Sequence, residues 1–155
     1  MVKISLYAIV CAAISLALTG CGNLERTNPV DPEVTGGGTL REQLVGSWSR
    51  DDGEQNEIYV FRADNGVQLR QFFSGPDGGE VDRNARFPQT LVHLFSGTYI
   101  LVVDVLTISF TAAQSNDSND PIEPPFTNKV VEISIRGRTL TLNEPGGKRL
   151  YTRLD

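Results

Sequence analysis

Few residues of this chain have side chains suited to covalent chemistry, and the most informative of them is Cys21. It ends the sequence Leu-Thr-Gly-Cys, which closes an apolar run from Ile4 to Gly20 behind the basic residue Lys3. A basic residue, an apolar run and small residues at its end are the layout of an export signal, and the run is shorter than the roughly 20 apolar residues of a membrane span. The sequence therefore predicts that residues 1–20 are a signal peptide, absent from the mature protein.

The spacing of these residues resembles the lipobox of bacterial lipoproteins. In that family the cysteine thiol receives a diacylglycerol and a peptidase cuts before it, which implies cleavage between Gly20 and Cys21 and anchoring of the mature N-terminus in a membrane. Two or three acyl chains, at about 0.8 kcal/mol per buried methylene, make such an anchor effectively permanent. The alternative is an uncleaved anchor helix in which Cys21 is incidental. Gly22 stands where an inner-membrane retention signal would show Asp, so the resemblance implies the outer membrane, on either its periplasmic or its surface face.

Loss of the signal peptide also limits the remaining chemistry. Cys11 would be discarded and Cys21 would be thioether-linked, so the mature chain has no thiol for disulfide bonds or cysteine catalysis. The net charge at pH 7 is −5 and becomes −6 once Lys3 is removed. No block of basic residues is interleaved with aromatic ones, which argues against nucleic acid as a partner.

The remaining polar clusters do not match a known catalytic or metal-binding pattern. His93, the one histidine, alternates with Leu91 and Phe95, so we expect a buried or rim histidine and not a general base. The acidic segments 77–80 and 116–120 lack the ligand spacing of an EF-hand loop and are interpreted as solvated turns. The sequence predicts no enzyme, no cofactor and no metal site.

Three segments of different composition follow one another along the chain. Residues 21–38 contain two prolines and three consecutive glycines without an apolar period, which predicts a flexible tether with a reach on the order of 20–25 Å. A single domain is expected over residues 39–155. It opens with Thr39–Glu42 in the pattern of a capping box, and Gly46 can end the turn, so one short helix is predicted there.

Beyond Gly46 apolar and polar residues alternate, and turn residues interrupt the alternation at short intervals. This pattern predicts half-buried antiparallel strands. Residues 64–66, 136–137 and 144–147 have the composition of hairpin turns. The candidate strands, not all of which need to form, are 47–51, 57–63, 67–73, 90–95, 98–103, 105–111, 129–136, 138–143 and 149–154.

A meander of this many short strands has two exposed edges unless it closes. Eight strands close into a barrel that is either filled by side chains or holds one small ligand. The fold class predicted is therefore all-β, a small antiparallel up-and-down barrel of about eight strands with one short N-terminal helical turn.

Three stretches carry a resemblance to the small lipocalin-like lipoprotein domains of bacteria: residues 44–48 after the short helix, residues 97–99 opening a middle strand and residues 150–153 in the last strand. In that family a Gly-x-Trp lies on the first strand at the closed end of the barrel, and a basic residue of the last strand packs across the indole. The resemblance implies these barrel-closing roles for Trp48 and Arg153; stacking of Trp48 on an apolar ligand is the alternative. Residues 74–86 and 112–128 are longer than hairpin loops of the family.

Two functions remain open for such a barrel. It could bind a small apolar ligand in its lumen, with candidate wall residues Tyr59, Phe61, Tyr99 and Leu101. It could instead be a filled barrel that binds another envelope protein, since large apolar residues dominate the inward positions and fold analogy does not choose between the two. Ile122 and Phe126, on a long proline-containing loop, could form a lid or partner anchor, or fold back onto the core.

Overall fold

The computed structural model describes residues 38–51, 56–76, 78–125 and 128–154. Gly20, Cys21 and Phe126, with the predicted signal peptide and residues 21–37 of the tether, lie outside this part of the chain. Within it the chain forms one short helix and eight strands: α1 (Leu40–Leu44), β1 (Gly46–Asp51), β2 (Asn56–Phe61), β3 (Gly66–Ser74), β4 (Thr90–Val102), β5 (Val105–Ser115), β6 (Lys129–Arg136), β7 (Thr139–Glu144) and β8 (Gly147–Leu154).

The strands form a closed antiparallel barrel in sequence order, from β1 to β8. Each strand pairs with the next along the chain, and β8 returns to β1 so that Trp48 stands opposite Arg153. Closure leaves no sheet edge unpaired, which is the physical reason a meander of this length rolls up. The prediction of an all-β barrel of about eight strands with one short helical turn is confirmed.

Two strands differ from their predictions. β5 runs to Ser115 and not to residue 111, because residues 112–115, predicted as part of a long loop, pair with β4. Segments 90–95 and 98–103 belong to a single strand, β4, so Gly97 lies within a strand and does not open one. The pairing of β4 with β5 shifts register between Ser96 and Gly97. The backbones approach so closely there that a Cβ on Gly97 would lie 1.9 Å from the carbonyl oxygen of Ser109. The glycine therefore accommodates an irregularity in a long, bent strand.

The two ends of the barrel are built differently. The plugged end carries α1, the β2–β3, β4–β5 and β6–β7 turns and the end of β8, whereas the open end carries the longer connections 75–89 and 116–128 and the β7–β8 turn. The capping box predicted for α1 is present: the Thr39 side chain accepts from the Glu42 N–H, and the Glu42 carboxylate accepts from the Thr39 N–H. The helix places Leu44, which is buried, against the barrel core.

The centre of the barrel is filled by side chains. Tyr59 contacts Phe61 with ring centroids 5.6 Å apart and Tyr151 at 5.5 Å, and Phe61 meets Tyr99 edge-on at 5.2 Å. Large inward aromatic rings thus occupy the lumen instead of lining an empty one. The buried core consists of Leu44, Trp48, Tyr59, Phe61, Val67, Leu69, Phe95, Tyr99, Leu106, Ile108, Phe110, Val131, Ile133, Leu140, Leu142 and Tyr151.

Candidate ligand-binding site

The plugged end of the lumen brings together the two residues to which the resemblance assigned barrel closure. Trp48 is fully buried, and its indole Nε1 donates to the Leu44 carbonyl oxygen at 2.8 Å. The Arg153 guanidinium carbon lies 4.4 Å from the centroid of the indole ring, and its Nη1 and Nη2 donate to the carbonyls of Val45 and Gln43. Because protein surrounds the indole, this end of the barrel offers no ring face to a ligand.

The four candidate wall residues occupy different places. Phe61 and Tyr99 lie in the packed centre, where the Tyr99 hydroxyl donates to the Arg62 carbonyl oxygen at 2.9 Å. Leu101 is half-buried and packs against the core. Only Tyr59, of these four, also lines the cavity that lies at the other end of the lumen.

A cavity of about 330 Å³ lies in the lumen at the open end. Its volume is at the lower limit for small-molecule sites, which span roughly 300–1,000 Å³. Charged or amide side chains make up six of its nine lining residues, because the strands place such side chains at their last inward positions on this side. The lining residues are Glu57, Tyr59, Leu69, Gln71, Pro125, Asn128, Lys129, Glu144 and Arg149.

Glu57 is the deepest charged group of this site. Its side chain is only 3 % exposed, and Oε1 accepts a hydrogen bond from the Tyr151 hydroxyl. The same oxygen lies 3.7 Å from Nη1 of Arg50 and 3.8 Å from Nη1 of Arg149. A buried carboxylate requires partners of this kind, because an unpaired charge away from water costs several kcal/mol.

A second carboxylate extends this arrangement toward the mouth. Nε of Arg149 lies 2.8 Å from Oε2 of Glu144, and Nζ of Lys129 is paired with Oε1 of the same side chain. Lys129 Nζ also lies 6.0 Å from the centroid of the Tyr59 ring. Arg149 therefore bridges both carboxylates, and three cations with two carboxylates make up what we term the mouth cluster: Arg50, Glu57, Lys129, Glu144 and Arg149.

The two tyrosines beside the mouth cluster are held in the neutral form. Burial, and secondarily the charge of Glu57, raise the pKa of Tyr59 and that of Tyr151 well above the ordinary value. Burial by itself lowers the pKa of Arg149, but Glu144, Tyr151 and Glu57 together raise it overall. Both phenols thus keep their protons, the Tyr151 hydroxyl donates to Glu57, and the arrangement is suited to binding a charged group.

The connection between β5 and β6 lies over the open end. His93 is at the rim, where Nε2 is 2.7 Å from Oδ2 of Asp120 in this connection. Further along, Ile122 packs against the core and Pro125 lines the cavity. For Ile122, the structure therefore favours folding back onto the core.

The acidic segment in the same connection forms a turn: Asp117 Oδ1 accepts from the Asn119 N–H at 2.9 Å, and its carbonyl accepts from the Asp120 N–H at 3.2 Å. Among the described residues, no three His, Cys, Asp or Glu side chains are grouped so as to hold a metal ion. Within that part of the chain, no helix is long and apolar enough to span a membrane.

The sequence analysis did not identify the mouth cluster, although a signal for it exists. Glu57, Lys129 and Arg149 each stand two positions before a buried core residue of the same strand, namely Tyr59, Val131 and Tyr151. Charged residues in phase with an apolar inward face, all at the same end of their strands, indicate a polar site inside the barrel.

The comparisons with known proteins leave the relationship of the chain to others open. No protein-family model matches the chain, and neither a curated protein nor a solved structure matches it.

Proposed function

We propose that this chain is a lipoprotein of the bacterial outer membrane, anchored through Cys21, whose lipocalin-like barrel binds a small ligand at its open end. The export-signal layout before Cys21 supports the anchor, and the barrel that begins shortly after the predicted tether supports the resemblance to lipocalin-like domains. The observation that carries the binding function is the cavity of about 330 Å³, which is lined by four members of the mouth cluster: Glu57, Lys129, Glu144 and Arg149.

The composition of the cavity wall indicates which class of ligand fits. The wall carries two cations, Lys129 and Arg149, and two carboxylates, and the amides of Gln71 and Asn128 add hydrogen-bond donors. The Tyr59 ring and Leu69 supply apolar surface deeper in the lumen. The favoured ligand is therefore a small amphiphile whose head, a carboxylate or a phosphate, accepts hydrogen bonds from these cations and amides, while a short apolar part faces the tyrosine.

Size sets a further limit on the ligand. A volume of about 330 Å³ equals the space of roughly ten waters at about 30 Å³ each. Because Phe61, Tyr99 and their neighbours fill the centre, a long acyl chain does not fit without displacing core side chains. The proposed ligand therefore differs from a wholly apolar molecule bound deep in the lumen.

Native mass spectrometry tests the binding function. The full chain, purified from its own host in mild detergent, is expected to retain a small anionic adduct. The Lys129→Met variant should lose the adduct, because it removes a cation from the cavity wall. Lys148 is exposed and directly precedes Arg149 on β8, so the Lys148→Met variant should keep the adduct. A consistently bare wild-type mass would count against ligand binding.

A second function is supported by the packed interior. Sixteen buried residues fill the barrel, which suits a rigid domain that binds another envelope protein through its outer faces or loops. A bare mass together with a specific crosslink to one envelope protein in intact cells would favour this alternative.

The membrane anchor is tested separately. The intact mass of the mature protein should show the loss of residues 1–20 and the gain of two or three acyl chains, and Cys21→Ser should abolish both. Cys11→Ser is the matched control, since Cys11 lies within the predicted signal peptide. An unmodified mass that still contains Lys3 would refute the anchor.

A further inference from the structure

The outer surface of the barrel carries an apolar patch at the plugged end. Its members, here termed the hairpin patch, are Ile100, Val102, Val103 and Val105, and they range from 37 % (Val105) to 85 % (Val103) exposed. They are contiguous: Val102 pairs with Val105, and Ile100 lies two positions before Val102 on the same face of β4. Single exposed aliphatic residues are common, but four such neighbours mark a site for an apolar partner.

The hairpin patch projects beyond the neighbouring strand. β3 begins at Gly66, which pairs with Thr98, so β4 continues for four more residues before the turn at Val103. At about 3.4 Å per residue this is roughly 13 Å of strand without a β3 partner. The β4–β5 hairpin is therefore able to reach an external surface that faces the plugged end.

The turn at the tip of this hairpin contains a residue whose backbone conformation is unfavourable for its type. Val103 has a φ of 57°, in the left-handed region that β-branched residues rarely adopt. Two-residue hairpin turns favour Gly, Asn or Asp where φ is positive, and in the longer β2–β3 turn the residue with a φ of 68° is Asn65. An apolar residue that is both strained and the most exposed of the patch is consistent with a contact made outside the barrel.

The path of the chain and its charges indicate what the patch meets. The domain is entered through α1 at the plugged end, so a lipid on Cys21 holds this end near the bilayer, within the reach of the predicted tether, on the order of 20–25 Å. The described parts of the open-end connections carry five carboxylates and two arginines, which anionic headgroups repel. At the plugged end exposed charges balance: Arg41, Arg62, Arg136 and Arg138 accompany Glu42, Asp64, Asp104 and Glu132.

We infer that the hairpin patch docks into the bilayer that carries the anchor, with its aliphatic side chains at the boundary between headgroups and acyl chains. This rests on the proposed lipidation of Cys21. Asp104 and Glu132 border the patch, so the contact gains its stability from apolar burial and not from ionic attraction. The docked barrel stands with its plugged end on the membrane and its cavity facing the aqueous side.

An environment-sensitive fluorophore tests this orientation. The fluorophore is attached to Val103→Cys in the full chain. The labelled protein is reconstituted in vesicles of phosphatidylethanolamine and phosphatidylglycerol, whose brominated acyl chains act as the quencher. The control is Gly146→Cys at the open end, where an added Cβ meets no atom within 4 Å. The label at position 103 should be quenched about threefold or more compared with the label at 146. A second label at Ile100→Cys, on the same patch, should behave like that at 103.

Equal quenching at positions 103, 100 and 146 would overturn the docking. The mass of the labelled chain reports separately whether acyl chains are present. If they are absent, the anchor of the proposed function fails, and the same labels are then measured after vesicles are added to the unanchored chain. Quenching confined to 103 and 100 would still support docking by the hairpin patch, and its absence would refute it.

Discussion

Two arginines on the same face of the same strand show how different the two ends of the lumen are. Arg153 at the plugged end lies over an indole and donates to backbone carbonyls, whereas Arg149 at the open end pairs with the carboxylates of Glu57 and Glu144. Only Tyr151 separates them along the inward face of β8. Because of these surroundings, Arg153 helps to close the barrel, whereas Arg149 belongs to the proposed ligand site.

The comparison also separates stability from binding. The plugged end buries a tryptophan in the core beneath the Arg153 guanidinium, which favours folding through packing. The open end buries ionic groups, whose desolvation offsets much of their attraction and which contribute specificity more than stability. We therefore expect the fold to depend most strongly on the plugged end.

The largest effect is expected for Trp48→Ala. It removes the largest buried side chain at the plugged end and should lower the free energy of unfolding by about 3–5 kcal/mol. Urea unfolding followed by far-ultraviolet circular dichroism measures this without the lost indole signal. Leu150→Ala, on the exposed face of β8, is the control and should change stability little. A loss below about 1 kcal/mol would show that the plug does not dominate stability.

Glu57→Gln should have the next largest effect. It leaves the neighbouring guanidinium groups without their shared carboxylate, at a cost of about 2–3 kcal/mol after allowance for the partial exposure of Arg50 and Arg149. Glu132→Gln makes the same chemical change on the exposed face of β6 and should be nearly neutral. Equal changes in the thermal unfolding temperature for the two variants would show that burial of Glu57 does not contribute to stability.

Arg153→Met sharpens the contrast between the two arginines. The variant loses the cation–π contact and two hydrogen bonds to carbonyls, so the unfolding free energy should fall by about 2 kcal/mol. The ligand adduct in native mass spectra should persist, because Arg153 does not line the cavity. Loss of the adduct from a folded Arg153→Met protein would contradict the separation of roles.

Alkaline pH should weaken the open end. The pKa values of Tyr59 and Tyr151 are raised in the folded protein, first by burial and then by Glu57, so both phenols keep their protons in the fold after the unfolded chain has lost them. Their stabilisation is complete below about pH 10 and falls above it by about 1.4 kcal/mol per pH unit for each tyrosine. Tyr151→Phe should reduce this slope in denaturant titrations; an unchanged slope would argue against its contribution.

The smallest effect is expected at the hairpin tip, and it is favourable. Val103→Asn places a residue that tolerates positive φ in the turn and should raise the unfolding free energy by about 1 kcal/mol. Asn65→Val, the reverse change in the β2–β3 turn, should destabilise by at least as much, because Asn65 also accepts a hydrogen bond from Arg41. Calorimetry of both variants checks the opposite signs.

Most of the strand order could be predicted from the sequence because its signals are local. Alternation puts Val131 and Ile133 on the buried face and Glu132 on the exposed one, as the structure has it. The turn at Gly137, with a φ of 56°, falls where a residue tolerant of positive φ was expected. The continuity of β4 could not be predicted, because the role of Gly97 depends on the backbone of Ser109 across the strand pair.

The site could be predicted only in part. The candidate wall residues were chosen as inward aromatic or aliphatic residues, yet only Tyr59 combines an inward position with a place beside the cavity. Phe61 and Tyr99 face inward as well but occupy the packed centre. Whether an inward residue packs in the core or lines the cavity depends on its depth along the barrel axis. That depth is set by the stagger of the paired strands and is not a property of any one strand.

The sequence alone determined the run of amphipathic strands, and it predicts an export signal and a tether ahead of them, because spacing and period are properties of neighbouring residues. Only the tertiary structure decided that Arg50, Glu57, Lys129, Glu144 and Arg149 gather at one mouth of the barrel. These residues come from five strands, and they meet because closure of the sheet places the same end of each strand around a common axis.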